Sequence, residues 1–414
     1  MSVRKSSTRR SRHGLRLLLC SVAAVALTPA LAAAQTDPQR PGVRVGPLQI
    51  SPRLVFSNIG VDDNVFNEPT DPKRDFTLTA TPDVELSVQP GRLRLAFTSQ
   101  VDFVYFHKYT SERSVNRIFS GRADLDLTRL KPFFTVSAAH TSARLNSEID
   151  SRARHHPRAY AAGTSLRLAS RTSVAFTARA VSESYDPGLE NSFRGIDLST
   201  SLDSETKGYD ASFNVNLTPF TTVSLVATRE QQRFDHSPIK DADSLRIAPT
   251  VTFSPLGQIT GTASVGFRRF NGIDPSLPDY SGFVSAGTIG LLLGGQYKLD
   301  TMFSRDVRYS YEEGLPYYIL TGGRATLAIR TVGALDVRVT GGRESMDYRA
   351  LGDVGTPGRD RLVIYGTGFG YRFAERIRLA IEAEFSHRTS EHDTSREYTN
   401  RRIMATLNWG AINQ

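Results

Sequence analysis

The sequence is most informative at first for what it lacks. Its 414 residues contain a single cysteine, Cys20. No run of about 18 apolar residues follows the N-terminal segment, which excludes helices that cross a membrane. The G-x-S-x-G nucleophile motif of many hydrolases and the glycine-rich loop of nucleotide-binding proteins are also missing. Function must therefore be sought in the periodicity of the chain.

Residues 1–34 have the three parts of a secretory signal peptide. A basic start is followed by an apolar stretch at 17–27 and by small residues at 32–34. We predict cleavage before Gln35; an uncleaved membrane anchor is the alternative, although the apolar stretch is short for one. Cleavage would remove Cys20 and six basic residues, so the formal net charge would fall from +9 to +3 (9 − 6). The mature chain would have no cysteine for disulfides or thiolate metal sites, and its charge does not indicate nucleic-acid binding.

Residues 361–386 show the clearest two-residue period. In the first half, Tyr365 and Phe369 share an apolar face, while Gly366 and Arg372 lie on the other. In the second half, alternate apolar residues such as Leu379 oppose charged ones. Strand side chains alternate between two faces, so the pattern predicts a hairpin with one apolar and one largely polar wall. Each run has about a dozen residues, the length of a tilted strand that crosses a bilayer.

The same alternation recurs along the chain. Residues 35–47 are polar and contain proline, and we interpret them as a short periplasmic lead-in. From 48 to 410 we count about eighteen alternating segments, within a range of 16–18. They lie near 48–58, 75–88, 92–107, 115–128, 132–145, 158–169, 172–185, 206–218, 221–234, 244–254, 258–270, 280–292, 295–311, 316–330, 333–347, 361–373, 376–387 and 397–409.

The connections between segments alternate in length. Tight turns such as 89–91, 219–220 and 255–257 contain Pro or Gly, and longer polar connections such as 146–157 and 186–205 lie between them. Short turns on one rim and long loops on the other are typical of outer-membrane barrels. We therefore predict an all-β, transmembrane, antiparallel up-and-down barrel at 48–410, with short periplasmic turns and longer extracellular loops. A soluble sandwich or β-helix is the alternative, but its turns need not alternate in length.

Aromatic residues gather towards the ends of the segments. We predict that they form girdles at the two membrane interfaces. The set comprises Tyr105, Tyr185, Phe253, Phe270, Tyr309, Tyr371 and Trp409.

The polar faces carry ionisable residues of both signs. In a closed barrel of this size they would line a water-filled lumen and set its ion selectivity. The alternative for each residue is a cross-strand salt bridge that only stiffens the wall. Because the signs nearly balance, we expect weak selectivity. The candidates are Arg94, Asp102, Arg122, Asp124, Asp126, Lys298, Asp300, Arg324, Arg338, Arg378, Glu382 and Glu384, with Asp306 and Asp336 on the same faces.

Catalytic and metal sites have weak support. The paired acids Asp62 and Asp63 could bind calcium, but a solvated loop charge is the simpler interpretation. The histidines, such as His155, His156 and His387, are scattered through predicted loops and strand ends. We expect no catalytic residue, no cofactor and no metal.

The N-terminal third resembles a known family. The stretch ISPRLVFSNIGVDDNVFNEPTD, with Pro52 and the run from Asp62 to Phe66, followed by a segment containing Pro82, is similar to the opening of the putative β-barrel porin-2 family. The resemblance implies a barrel in the outer membrane of Gram-negative bacteria, and some members are associated with exopolysaccharide synthesis. No catalytic residue carries over. The chain departs from the usual terminal aromatic residue of such barrels, because residues 410–414 follow Trp409.

Two functions remain open from the sequence. The first is a non-enzymatic porin-like channel for small polar solutes or polysaccharide. The second is a structural or accessory barrel for exopolysaccharide export without an open pore, and a membrane hydrolase is a more distant third. The expected partners are outer-membrane lipid, the barrel-assembly machinery and exopolysaccharide or small polar solutes. We expect no nucleic acid, and the oligomeric state stays open.

Overall fold

The fold is built almost entirely from long strands. The computed structural model describes residues 42–188, 191–331, 333–352, 357–374, 376–391 and 393–410, so the predicted signal peptide and most of the lead-in lie outside the described residues. The strands are β1 Val43–Val45, β2 Leu48–Asp62, β3 Asp75–Val88, β4 Leu93–Phe106, β5 Ser114–Leu125, β6 Leu130–Arg144, β7 Arg152–His155, β8 Arg158–Arg167, β9 Thr172–Glu183, β10 Ser192–Phe193, β11 Ile196–Asp197, β12 Ser204–Thr218, β13 Thr221–Phe234, β14 Ala242–Phe253, β15 Ile259–Gly272, β16 Tyr280–Leu293, β17 Tyr297–Tyr309, β18 Tyr317–Arg330, β19 Leu335–Arg349, β20 Arg359–Ala374, β21 Ile377–Ser390 and β22 Tyr398–Gly410.

These strands close into a ring. The main sheet has 20 strands, of which β1 and β7 only extend one neighbour, and the remaining 18 (20 − 2) form an antiparallel barrel. Each barrel strand pairs with the next one along the chain, and β22 pairs with β2 from Arg53↔Gly410 to Asp62↔Arg402. The predicted fold class is therefore confirmed. β10 and β11 form a separate two-stranded sheet within a loop.

The register of β20 and β21 confirms the pattern at residues 361–386. Tyr365 pairs with Phe385, and the neighbouring pair is Gly366 and Glu384. Tyr365 is 60% exposed on the outer face. Leu362 and Ile364, on the inner face, are buried against Tyr398.

The outer face is apolar around the ring. Large apolar side chains on this face, such as Phe97, Ile381 and Ile403, are exposed, as expected of a surface that contacts lipid. The predicted girdles are wrong for Phe270, which is 1% exposed and packs inside the barrel against Val307 and Tyr317. Phe270 lies two residues from Arg268 in β15 and so shares the inner face of that strand.

Connections alternate between the two rims as predicted. The turn between β12 and β13 has two residues, 219–220, whereas β9 and β12 are separated by residues 184–203. The long connections also contain short helical elements: 3-10 turns at Thr110–Glu112, Pro238–Lys240 and Thr394–Arg396, and α1 at Leu198–Leu202. The side chain of Asp197 caps α1 by accepting from the Ser199 backbone N–H.

The start of the described chain folds onto the barrel. β1 pairs antiparallel with the first residues of β2, from Val43↔Ile50 to Val45↔Leu48. Gly46 lies in the tight turn between them with φ of 59°, a backbone conformation that glycine adopts without strain. Among the described residues, no helix is both long and apolar enough to cross a membrane.

Candidate functional site

Eleven of the twelve candidate residues lie within barrel strands, and the twelfth lies in a turn. Asp126 follows the end of β5, where its carboxylate is 3.1 Å from Lys131 Nζ. The others are Arg94 and Asp102 in β4, Arg122 and Asp124 in β5, Lys298 and Asp300 in β17, Arg324 in β18, Arg338 in β19, and Arg378, Glu382 and Glu384 in β21.

Asp336 connects three of the candidates. Its Oδ1 accepts from Arg378 Nη2 at 2.7 Å and from Arg338 Nε at 3.1 Å. Arg338 Nη1 also donates to Glu382 Oε1 at 3.1 Å. The three residues lie on β19 and β21, which are separated by β20, so the contacts pass over the inner face of β20. Gly368 and Gly370 leave space there, since a Cβ on Gly370 would lie 1.9 Å from Arg378 Nη2.

The remaining candidates form smaller groups. Arg122 pairs with Asp124 at 2.6 Å and Lys298 with Asp300 at 3.1 Å, each within one strand. Arg324 Nη1 lies 3.8 Å from Glu384 Oε2, although their strands are three positions apart in the ring. Such a contact is only feasible across the interior.

The two candidates in β4 differ in their partners. Asp102 Oδ1 accepts from Thr81 Oγ1 at 2.8 Å and from Gln100 Nε2 at 3.0 Å. Arg94 has no hydrogen-bond or ion-pair partner among the described residues.

A second group of ion pairs was missed by the sequence analysis, which named only Asp306 of its members. Arg179 in β9 contacts both Asp210 and Glu230, and Glu230 Oε2 lies 3.2 Å from Arg268 Nη2. Arg268 Nη1 continues the series to Asp306 Oδ1 at 2.8 Å. Carboxylates and guanidinium groups alternate along the series of contacts, which runs Asp210, Arg179, Glu230, Arg268 and Asp306. The sequence did contain a signal for these ion pairs, because each residue falls on the polar face of its alternating segment.

A loop segment folds into the barrel at the long-loop rim. Residues 145–151 follow β6, the fifth strand of the ring, and reach β19 and β21, the fifteenth and seventeenth of 18. The hydroxyl of Ser147 donates to the carboxylate of Glu344 in β19. We call residues 145–151 the inner loop, because its contacts lie on the far side of the lumen from the strand that carries it.

Arg388 in β21 binds the inner loop. Its Nη1 donates to the carbonyl of Ser147 at 2.8 Å and lies 3.2 Å from Asp150 Oδ2. Its Nη2 forms an ion pair with Asp360 of β20. Arg388 is 1% exposed, so these contacts replace water almost completely. A fully buried guanidinium requires such partners, since an unpaired buried charge is strongly destabilising.

Glu148 is the most buried carboxylate of the inner loop, with no measurable exposure. Its Oε1 accepts from Ser310 Oγ at 2.6 Å, and Oε2 has no hydrogen-bond partner within the described part of the chain. Burial raises the pKa of the Glu148 carboxyl to about 7, although Ser310 and nearby cations act in the opposite direction. Burial likewise lowers the pKa of the Lys240 ammonium to about 8. Lys240 Nζ donates to the carbonyl of Ser310 at 2.8 Å.

The loops also share an apolar core. Ile149 of the inner loop is buried with Phe193 and Leu198 from the connection 184–203, and with Tyr311 from the β17–β18 connection. The rings of Phe193 and Tyr311 are 4.8 Å apart in an edge-to-face arrangement. Loops that normally cover a surface thus form a small hydrophobic core over the lumen.

Arg396 joins the last long loop to this assembly. Its guanidinium lies 5.3 Å from the ring centre of Tyr311 and 5.2 Å from that of Tyr348. It also lies 3.4 Å from Asp360 Oδ2 and forms an ion pair with Glu312. Arg396 Nη1 and Nη2 also donate to the hydroxyls of Tyr348 and Tyr311 at 2.8 and 2.7 Å, so both rings and their hydroxyls hold the cation. In the described residues, no group of three or more His, Cys, Asp or Glu side chains converges as a metal site.

A closed ring of 18 strands with an apolar exterior and a charged interior defines an outer-membrane β-barrel. The chain belongs to the family described as Putative beta-barrel porin 2, whose model matches residues 37–409. Localisation in the bacterial outer membrane follows from this membership. No curated protein matches the chain.

Solved structures of the same fold come from Pseudomonas aeruginosa. The chain is similar to OccK1 (OpdK), with 10% identity, a TM-score of 0.52, and coverage of 87% of this chain and 98% of that one. It is also similar to OccK2 (OpdF) in complex with glucuronate, with 10% identity, a TM-score of 0.51, and coverage of 87% and 98%. At this level of identity the likeness establishes the fold alone.

Proposed function

We propose that the protein is a non-enzymatic porin-like channel for small polar solutes, with its outer entrance narrowed by the inner loop. Family membership supports the porin-like class, and the paired charges of the wall supply a polar path for hydrated solutes. The observation that carries the proposal is the set of contacts from the inner loop to Arg388 and Glu344 across the lumen. A loop held at that level leaves less room for a polymer than for a small solute, so we favour small solutes over polysaccharide.

A second candidate function rests on the same loops. The buried cluster of Ile149, Phe193, Leu198 and Tyr311 resembles the core of a closed domain more than the lining of an aqueous entrance. An accessory barrel for exopolysaccharide export, without open-pore activity, would have such a closure. The two functions differ in whether solute passes while the inner loop is in place.

Conductance in a planar bilayer tests the proposal. The folded full chain should give discrete conductance steps, because the wall of the lumen is polar and wide enough for water. A folded barrel that stays silent, and opens only when the Arg388 contact is removed by Arg388→Gln, would favour the accessory function instead.

Arg359→Gln provides a matched control for this experiment. Arg359 also belongs to an ion pair at the long-loop rim, with Asp347, but it is exposed and makes no polar contact with the inner loop among the described residues. The control should conduct like the unmodified protein. If Arg359→Gln and Arg388→Gln have equal effects, the inner loop does not control the entrance.

A further inference from the structure

The lipid-facing surface carries a group of basic side chains near the long-loop rim. Arg117 of β5 and His140 of β6 are directly opposed, and Arg158 of β8 pairs with Ala138, two residues before His140. All three side chains are exposed. We call Arg117, His140 and Arg158 the external basic patch.

Alternation places the patch on the outside of the barrel. Arg117 lies between Val115 and Phe119, which are 43% and 39% exposed, whereas Asn116 on the opposite face is 6% exposed. Arg158 shares its face with Tyr160, which is 49% exposed. The patch therefore interrupts a band that is otherwise apolar on these strands.

The patch lacks acidic partners of its own. Within the described residues, neither Arg117 nor Arg158 forms an ion pair with a carboxylate. A nearby carboxylate, Asp186, is already bound to His156 Nε2 at 2.6 Å, and the His156 ring lies 4.2 Å from that of His140. Arg117 and Arg158 lie on the two strands that flank β6, and they leave this part of the surface with positive charge that no carboxylate of the described residues offsets.

The height of the patch limits the identity of that anion. Arg117 and Arg158 lie near the ends of β5 and β8 that start at the long-loop rim, and Phe119 and Tyr160 lie one position further into the apolar band. Near the rim a bilayer presents its headgroups, and an arginine there is far less costly than at the midplane. The long loops place this rim in the outer leaflet.

We propose that the external basic patch binds the phosphorylated headgroup of an outer-leaflet lipid. Guanidinium groups from two strands bind phosphate oxygens through paired N–H donors, and His140 lies between them. The acyl chains continue downward over Phe119, Val136 and Tyr160, which are exposed on the same face. The inference depends on the outer-membrane location and is independent of channel activity.

Lipid binding to the purified full chain tests this assignment. The folded protein in zwitterionic detergent is titrated with diphosphoryl lipid A, and bound lipid is counted by native mass spectrometry. The double variant Arg117→Gln/Arg158→Gln should bind about a hundredfold more weakly, because each of the two lost charge-assisted hydrogen bonds reduces the affinity about tenfold. An otherwise identical lipid without phosphate should bind to both proteins as weakly as diphosphoryl lipid A binds to the variant.

Lys207→Gln is the control, because Lys207 is exposed near the same rim and has its own carboxylate, Glu205, at 3.5 Å. Its affinity for the lipid should not change. Equal binding of the phosphate-free lipid, unchanged affinity of the double variant, or an equal loss in Lys207→Gln would each overturn the proposal. If the double variant does not fold, Arg158→Lys keeps the charge but loses the paired donors, and a several-fold weaker affinity is then expected.

Discussion

The wall of the barrel and its outer entrance are organised in different ways. On the wall, charges pair within a strand or across a few strands, as Arg338 does with Asp336 and Glu382, and Glu382 keeps 45% of its side chain exposed. At the entrance, Arg388 is 1% exposed and binds a loop segment 238 to 241 residues away in sequence. The comparison indicates that the register of the strands is sufficient to build the wall, whereas closure of the entrance depends on long-range contacts.

The energetic consequences differ in the same way. In the Arg338–Glu382 pair the guanidinium is buried but the carboxylate stays in contact with water, so solvent screens the pair and its contribution is reduced. A buried guanidinium such as that of Arg388 cannot lose its partners without a large cost. Substitutions at the entrance should therefore have larger effects than substitutions on the wall, and the following four experiments test that order.

The largest effect is expected for Arg388→Gln. Removal of the guanidinium should destabilise the packed position of the inner loop by about 3–5 kcal/mol, since Asp150 and the carbonyl of Ser147 lose their buried partner. Limited proteolysis should then cleave within residues 145–151, and conductance should rise. Asp360 keeps Arg396 at 3.4 Å, so the barrel itself should remain folded. Unchanged proteolysis would mean that the loop is held by its apolar contacts alone.

The second-largest effect is expected from the ionisation of Glu148 as the pH rises. The pKa of this carboxyl rises from 4.5 to about 7 in the packed loop, mainly through burial. The packed position of the inner loop is therefore most stable below pH 4.5. Its stability falls by up to about 3 kcal/mol as the pH rises from 4.5 through about 7, because Glu148 ionises without a desolvation cost only when the loop is released. Hydrogen exchange of residues 145–151, corrected for intrinsic rates, should show this loss.

The variant Glu148→Gln tests whether Glu148, and not another titrating group, causes the pH dependence. The variant should exchange with little pH dependence between pH 4.5 and 7. Lys240 would change the stability of the packed loop at higher pH. Because its pKa is lowered to about 8, packing becomes more favourable as the pH rises from about 8 towards 10.5. An equal pH slope in the variant would assign the titration to another group.

A smaller effect is expected for Glu230→Gln on the wall. Arg268 keeps Asp306 at 2.8 Å, and Arg179 keeps Asp210, so stability should fall by only about 1 kcal/mol. The lumen loses a negative charge, and the reversal potential in a salt gradient should shift towards anions. Proteolysis of the inner loop should not change. A shift towards cations would contradict an inward position for this carboxylate.

The smallest effect is expected for Asp126→Asn. The side chain lies in a short turn and is 66% exposed beside Lys131. Its replacement should change stability by no more than about 0.5 kcal/mol. Ion selectivity should stay the same, because the carboxylate lies outside the strands; a clear change in reversal potential would instead place it in the conduction path.

The strands could be predicted closely from sequence because their signal is local. The predicted segments 75–88 and 221–234 coincide with β3 and β13. Alternating apolar residues and tight turns carry enough information to count 18 strands and to align their faces. Phe270 shows the limit of this reasoning, since a girdle was inferred from position along the strand without regard to which face the residue occupies.

The entrance could not be predicted because its contacts are not local. Residues 146–157 appeared only as a polar connection, and the sequence analysis gave no indication that Ile149 would be buried in a core. Nothing in the sequence links Ser147 to Glu344 or Arg388. The polar groups of such a loop can form hydrogen bonds equally well with water or with the opposite wall of the barrel. Only the closure of the strands into a ring brings that wall close to the loop.

The pairing of β22 with β2 makes completion of the chain a condition for assembly. The first strand to be synthesised has to wait for the last before its outer edge acquires hydrogen-bond partners, and until then two rows of unsatisfied amides and carbonyls face a medium without water. A polypeptide that stopped before Tyr398 would lack β22, so β2 and β21 would each keep an unpaired edge and the ring could not close.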